Sequence, residues 1–173
     1  MNDVILRALH TRITGVFPAQ VRAAVEKLTD EQIWMRPNES SNAIGNILLH
    51  LAGSLNYYLN RNLGALDFTR DRAAEFAERR NLPKAELLAL FDEMVANAER
   101  TFDALTPERL GQPSPEPKMH ELIVEDLINV ASHLAFHAGQ VVWIAKSFDG
   151  SAVDEVWIKS HRAEGAWKRP ASA

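Results

Sequence analysis

A charge-free stretch near the end of the chain constrains the fold more than any other feature. Residues 127–145 contain no Asp, Glu, Lys or Arg, which is long enough to raise the question of a membrane span. The stretch nevertheless carries a polar load that lipid would not tolerate in an isolated span, so we predict no membrane partner. A buried helix whose polar side chains serve a purpose inside the protein explains both properties. These polar residues are Asn129, His133, His137 and Gln140.

Apolar periodicity extends the helical interpretation to most of the chain. Four long stretches place apolar residues three and four positions apart, and alternating Val-, Ile- and Thr-rich stretches with Gly turns are missing. We therefore predict an all-α protein, namely a four-helix bundle with a long crossover between the second and third helices. The predicted helices cover about residues 3–28, 43–62, 81–105 and 120–147.

Prolines, glycines and charges divide this pattern. Gly15 and Pro18 are expected to bend the first helix, and three prolines between residues 111 and 119 predict a loop before the fourth. The crossover, residues 63–82, carries nearly balanced charges and is expected to form a solvated face or a short surface helix. We assign residues 1–150 to one bundle and residues 151–173 to a short C-terminal helical segment and tail that is not a separate domain.

Composition excludes several classes of function. The chain has 173 residues, a formal net charge of −4 and no cysteine. Disulfides, thiolate metal sites, iron–sulfur clusters and a cysteine nucleophile are therefore excluded, and the acidic balance argues against a general nucleic-acid binder. The N-terminus shows no secretory signal, so a cytoplasmic location is expected.

The histidines carry the main functional signal. His133 and His137 are four residues apart, so both imidazoles lie on one face of the fourth helix, at the spacing that lets two nitrogens reach one metal ion. At about 100° per residue, nearly all polar groups of this helix share that stripe, and we predict that the stripe lines an internal cavity. The other residues within about 40° of His133 are Leu122, Asp126, Asn129, Gln140 and Ile144.

The second helix offers a third imidazole. His50 lies away from the centre of the apolar stripe of that helix, and small residues such as Gly53 share its side, which predicts space for something that is not protein. Bundles build metal sites from inward side chains on facing helices, so His50 is expected to meet His133 and His137. We expect His10, His120 and His161 to be surface or hydrogen-bonded residues.

Three neutral imidazoles would leave a divalent ion at least one open position, where water or a thiol could become a nucleophile. Zinc, nickel and iron all suit imidazole. Side chains near the stripe are candidates to hydrogen-bond the ligands or contact substrate, although Gln140 could equally be a packing hydrogen bonder. An interhelical hydrogen bond is the expected role of Asp126. The candidates are Asn46, Tyr57, Asn129 and Gln140.

Two segments resemble the DinB-like, or damage-inducible, family: residues 41–53 (SNAIGNILLHLAG) and residues 133–141 (HLAFHAGQV). Residues 70–76 (RDRAAEF) are similar to the crossover of one bacterial branch. The resemblance implies a four-helix bundle with a divalent-metal site at His50, His133 and His137, often in a homodimer. Characterised relatives are transferases or isomerases that use low-molecular-weight thiols such as bacillithiol and mycothiol, and some are proposed metal-dependent hydrolases.

We therefore carry three hypotheses. The leading one is a metal-dependent enzyme, of thiol-dependent transferase or hydrolase type, that acts on a small molecule. The alternative is a non-catalytic module that binds a metal or small ligand, or dimerises, in a stress response. The third is a purely structural bundle whose histidines only form hydrogen bonds.

Overall fold

All regular structure in the described part of the chain is helical. The computed structural model describes residues 1–80, 82–116 and 118–148, so the predicted C-terminal segment and tail lie outside it. Within these ranges the β-type pairing consists of one isolated antiparallel bridge, between Pro113 and Leu122. The predicted all-α class is confirmed.

The first long helical stretch is interrupted where the sequence predicted a bend. Helix α1 spans Asn2–His10, a π-helical turn covers Thr11–Val16, and α2 spans Phe17–Glu26. Gly15 lies within the wider turn, and Pro18, which lacks a backbone N–H, lies in the first turn of α2.

A short helix follows and turns the chain towards the second long stretch. Helix α3 spans Asp30–Trp34 and begins with a capping box, in which the Thr29 hydroxyl accepts from Gln32 N and the Gln32 side chain accepts from Thr29 N. The indole Nε1 of Trp34 donates to the carbonyl of Leu82 at 2.8 Å, so this short helix is attached to the far end of the crossover.

The second long stretch is the most deeply buried part of the molecule. Helix α4 spans Ile44–Leu55, a π-helical turn covers Asn56–Arg61, and α5 spans Asn62–Gly64. Every residue of α4 except Leu49 is buried. Asn60, in the π-helical turn, donates to the Met94 carbonyl at 3.1 Å, so its buried amide has a partner on the neighbouring helix.

Three further helices complete the described fold. Helix α6 spans Arg72–Ala77 within the crossover, α7 spans Lys84–Asp103, and α8 spans Ile123–Phe148. A short 3-10 turn, Pro107–Gly111, precedes the predicted loop. Helix α4 packs against α6, α7 and α8, while α8 also packs against α2, so the core lies between the long helices.

Helix α8 is long and apolar enough to cross a membrane by length and composition alone. In the bundle, however, Leu127, Leu134 and Val141 have no exposed surface because they belong to the common core. These residues form the inward face of α8, and 28% of its apolar window is buried within the described part of the chain.

The loop before α8 is tied to the start of that helix. Buried Asp126 accepts from the Ser114 hydroxyl at 2.5 Å and pairs with His120 Nδ1 at 3.0 Å. The expected interhelical hydrogen bond of Asp126 is therefore wrong, because both partners belong to the preceding loop. A carboxylate in the first turn of a helix also interacts favourably with the helix dipole.

We predict that Gly45→Ala destabilises the bundle. A Cβ at this position would lie 2.7 Å from the buried Trp34 ring, which packs too tightly to yield freely. Overpacking of this kind costs about 1–3 kcal/mol, measurable by urea unfolding. Gly15→Ala is the matched control, because nothing lies within 4 Å of its Cβ position. Equal stability of the two variants would contradict the described packing.

Candidate metal centre

Helices α4 and α8 bring three imidazoles together. The ring centroids of His50, His133 and His137 are 4.6–5.0 Å apart, and one nitrogen of each ring lies within 4.8 Å of the others. The Nε2 atoms of His50 and His133 are 3.0 Å apart. Nitrogens that share a tetrahedral zinc ion are separated by about 3.3 Å, given Zn–N bonds of about 2.0–2.1 Å. The donor set therefore fits a divalent transition-metal ion.

Hydrogen bonds at the opposite ring nitrogens determine which nitrogen each imidazole presents. The Nδ1 atom of His50 lies 2.9 Å from a carboxylate oxygen of Glu75, and Nδ1 of His137 lies 2.7 Å from Oε1 of Gln140. The Oε1 atom of Gln140 accepts the Nδ1 proton of His137. At Nδ1 of His50 the Glu75 carboxylate can only accept and the Arg70 Nη2 atom, 3.2 Å away, can only donate; the charged carboxylate oxygen at 2.9 Å is the nearer of the two and favours a proton on Nδ1. The lone pair of Nε2 is thereby free to bind an ion, as in metal sites whose histidines donate to an oxygen.

The carboxylate beside His50 is itself held by an arginine. Arg70 donates from Nε to Oε1 of Glu75 at 2.7 Å and from Nη2 to Oε2 at 2.9 Å. Both side chains are only 8% exposed. Burial acts to raise the pKa of Glu75, but the hydrogen bonds from Arg70 and His50 outweigh it and hold that pKa below its usual value. Glu75 is therefore an anion at neutral pH.

The two histidines of α8 are kept neutral. Burial lowers the pKa of His133 to about 4, and the neighbouring His137 and His50 act in the same direction. Burial also lowers the pKa of His137, partly opposed by the hydrogen bond to Gln140. Neutral imidazole is the form that binds metal ions, so both rings are ready to do so at physiological pH.

The crossover contributes a residue to the centre that the sequence pattern did not indicate. The crossover contains a short surface helix, α6, as expected, but the expectation of a solvated face is wrong at Glu75, which is 7% exposed and faces His50. The next residue, Phe76, packs its ring 4.8 Å from the His50 ring. A six-residue helix is too short for apolar periodicity to show which of its faces is buried. The one sequence feature that pointed to this segment was the resemblance of residues 70–76 to the crossover of a family branch.

The space that the small residues of α4 leave is filled by protein. A Cβ at Gly53 would lie 2.0 Å from Oε1 of Glu75, and one at Gly45 would meet the Trp34 ring. The expectation of a non-protein occupant beside His50 is therefore wrong at Gly53. The glycines instead admit side chains from α6 and α3.

The remaining predicted residues divide into two groups. Asn46 and Gln140 adjoin the centre: the Asn46 amide donates to the carbonyls of Glu75 and Glu78 in the crossover, and Gln140 contacts His137. Tyr57 and Asn129 make other contacts. The Tyr57 ring lies edge-to-face on Tyr58 at 5.0 Å, and Asn129 donates to the sulfur of Met119.

The other described histidines lie elsewhere. His10 pairs with Glu99 at 2.6 Å, and His120 contacts Asp126, while His161 is outside the described residues. Within residues 1–80, 82–116 and 118–148, no second group of His, Cys, Asp or Glu side chains has a geometry that would hold a metal ion.

A cavity of about 910 Å³ adjoins the centre between α8 and the segment before α4. Gln140 is the member of its lining that hydrogen-bonds a histidine of the cluster. Three large apolar side chains of the lining are notably exposed: Met35 at 49%, Phe136 at 64% and Trp143 at 72%. The cavity is thus open and largely apolar, with a polar connection to His137.

Comparison with known proteins gives a family match. The model of the DinB superfamily matches residues 16–141, which include all three histidines of the cluster. No curated protein and no solved structure matches the chain. The family match covers more than half of the sequence and includes all of α4 and α8 as far as residue 141. The chain therefore belongs to the DinB superfamily.

Proposed function

We propose that this protein binds one divalent transition-metal ion through His50, His133 and His137 and acts on a small molecule as a metal-dependent enzyme. The observation that carries the proposal is the convergence of three imidazoles, two of them with Nδ1 committed to an oxygen acceptor. A purely structural bundle needs no such convergence. Burial lowers the pKa of His133 and of His137, so packing these two rings together destabilises their protonated forms, a cost that a metal-binding role would explain.

The proposed reaction is transfer of a low-molecular-weight thiol or hydrolysis. Three protein ligands leave a coordination position for water or substrate, unlike a closed structural site with four. A bound divalent ion would supply an activated water or a stabilised thiolate as the nucleophile. Since the chain has no cysteine, thiol chemistry requires an external thiol. Zinc, nickel and iron are the proposed ions, because imidazole suits all three.

The residues of the chain have distinct proposed tasks. Glu75 and Gln140 hold the Nδ1 protons of two ligands, so the rings cannot turn their other nitrogen towards the ion. The large cavity is the proposed substrate site, because its volume of about 910 Å³ suits a small molecule. Its apolar walls would exclude water from the body of the substrate, while Gln140 and Arg36 provide polar contacts.

A non-catalytic metal or small-ligand binding module, acting in a stress response, is the second candidate. The observation that favours it is that none of the three histidines lines the large cavity, so a ligand there would reach the cluster through Gln140. Such an arrangement suits sensing or sequestration as well as catalysis.

We also propose a cytoplasmic homodimer. Phe136 and Trp143, which also line the proposed substrate cavity, form a strip of exposed aromatic surface on α8. The strip supports a self-association surface beside that cavity, because large exposed apolar side chains in one strip commonly mark protein contacts. The acidic net charge of −4 gives no support to a nucleic-acid partner.

Metal loading tests the proposed centre. Protein reconstituted anaerobically with Zn²⁺, Ni²⁺ or Fe²⁺ is expected to retain about one equivalent, measured by elemental analysis after desalting. His50→Ala and His137→Ala are expected to retain less than about a tenth, because two imidazoles hold an ion weakly. His120→Gln is the matched control, since this histidine is 44% exposed and lies outside the cluster. Unchanged loading in the His50 and His137 variants would contradict the site.

Activity separates the enzyme from the binding module. The metal-loaded protein is expected to catalyse thiol transfer or hydrolysis in a broad substrate screen, and the activity is expected to disappear with a chelator and return with added metal. His133→Gln should lose the same activity, because the third ligand is gone. Full loading without any chelator-sensitive activity across both reaction classes would favour the binding module.

Acid sensitivity tests the neutral state of the metal-free rings. Since the folded pKa of His133 is about 4, the unfolded chain takes up its proton first as pH falls below about 6.5, and unfolding becomes easier. Between pH 7 and 5 this group should remove roughly 1–2 kcal/mol from the free energy of unfolding, measured with urea. His133→Gln should lose that part of the pH dependence. An unchanged pH slope in the variant would contradict the buried neutral ring.

A further inference from the structure

One face of α4 carries three residues that all contact the crossover. Asn46, His50 and Gly53 are spaced four and three residues apart, so they lie along one side of the helix. Each meets Glu75 of α6 at a different atom: Asn46 binds its carbonyl, His50 its Oε2, and Gly53 leaves room for its Oε1. The face of α4 beside the candidate metal centre therefore contacts Glu75 at three places.

The main chain of α6 is held first. The amide Nδ2 of Asn46 lies 3.1 Å from the Glu75 carbonyl and 3.3 Å from the Glu78 carbonyl, at the end of α6 where carbonyls lack helical partners. Asn46 is 0% exposed, and its Oδ1 accepts from Ala43 N and Arg36. The main chain of Glu75 is thus held against α4 independently of the contacts of its side chain.

The carboxylate is then held at the Nδ1 side of His50. Because Arg70 donates to both oxygens, Glu75 is anchored away from Nε2, the atom that faces His133. A carboxylate in this position accepts the Nδ1 proton and increases the basicity of the ring without becoming a ligand itself.

Any residue larger than glycine at position 53 would force the Glu75 side chain to move. A Cβ there would lie 2.0 Å from Oε1 and 2.8 Å from Cδ of Glu75. Glycine in a helix interior costs about 1 kcal/mol relative to alanine, so a buried helical glycine needs a packing reason. The approaching atoms are the end of a flexible side chain, so alanine would displace the carboxylate and leave the helix intact.

We propose that Glu75 is the positioning residue of the metal centre, oriented by Arg70 and admitted by Gly53, and that it tightens metal binding through His50. The inference rests on the proposed metal function. It assigns the crossover helix a role in the centre, as the third element beside α4 and α8, and it explains why the histidine of α4 is followed three residues later by glycine.

Co²⁺ affinity, measured by competition with a chromophoric chelator, tests the assignment. Glu75→Ala and Gly53→Ala are each expected to weaken Co²⁺ binding about 10–100-fold, and Glu75→Gln less, since its amide oxygen can still accept from Nδ1. The double variant should bind as Glu75→Ala does, because both changes remove the same carboxylate contact. Gly15→Ala, with nothing within 4 Å of its Cβ position, is the control and should bind as the unmodified protein does.

Two spectroscopic readouts separate positioning from general stability. The visible absorption bands of bound Co²⁺ should shift in Glu75→Ala and Gly53→Ala, and the NMR signal of the His50 Nδ1 proton in the metal-free protein should be lost. Far-ultraviolet circular dichroism should show unchanged helix content. Return of the His50 Nδ1 proton signal in metal-free Glu75→Ala on addition of formate would further support a missing carboxylate, because the metal-free protein offers the anion no ion to coordinate.

The outcomes are distinguishable. If the unmodified protein does not bind Co²⁺, the metal function fails and this inference fails with it. If the unmodified protein binds Co²⁺ and the folded Glu75→Ala and Gly53→Ala variants bind within twofold of it, the metal function stands and the positioning role is overturned. A further loss in the double variant beyond Glu75→Ala would show that Gly53 acts otherwise than by admitting the carboxylate.

Discussion

The burial of α4 is the constraint on which the rest of the molecule depends. A helix enclosed on nearly every side can carry polar side chains only if the surrounding elements supply partners for them. The Asn46 amide donates to two carbonyls of the crossover, and the His50 ring contacts Glu75 and His133. Beyond the helix, Asn60 donates to the Met94 carbonyl. The positions of the crossover, α7 and α8 are therefore coupled to the polar residues of one helix.

The same burial explains the electrostatics of the centre. An ion pair such as Arg70–Glu75 gains little net free energy when buried, because desolvation of both charges offsets their attraction. The ion pair instead fixes the orientation of the Glu75 carboxylate, so that a charged acceptor lies at Nδ1 of His50. On the other side, burial keeps the rings of His133 and His137 neutral. The centre thus combines one fixed anion with neutral donors, a combination suited to a cation that still needs an external ligand.

Much of this arrangement was predictable from sequence. The four long stretches and the loop before α8 follow from periodicity and from the local chemistry of glycine and proline, and a π-helical turn contains Gly15, where a bend was expected. The stripe on α8 indicated His133 and His137, and the offset of His50 indicated a third imidazole. Glu75 was not predictable in this way, because a short mixed-charge helix has the same composition whether it is solvated or docked. Gly53 was misinterpreted for the same reason, since a glycine signals space but not its occupant.

The sequence by itself determined the helices, the breaks between them and the residue types that could bind a metal, because these depend on spacing within ten or twenty residues. Only the tertiary structure decided that Glu75 fills the gap at Gly53, that Asn46 holds the crossover, and that Tyr57 and Asn129 make other contacts. These outcomes depend on how two separate helices are rotated about their axes when they pack. That rotation is set by the summed contacts of the whole core, and no local pattern encodes it.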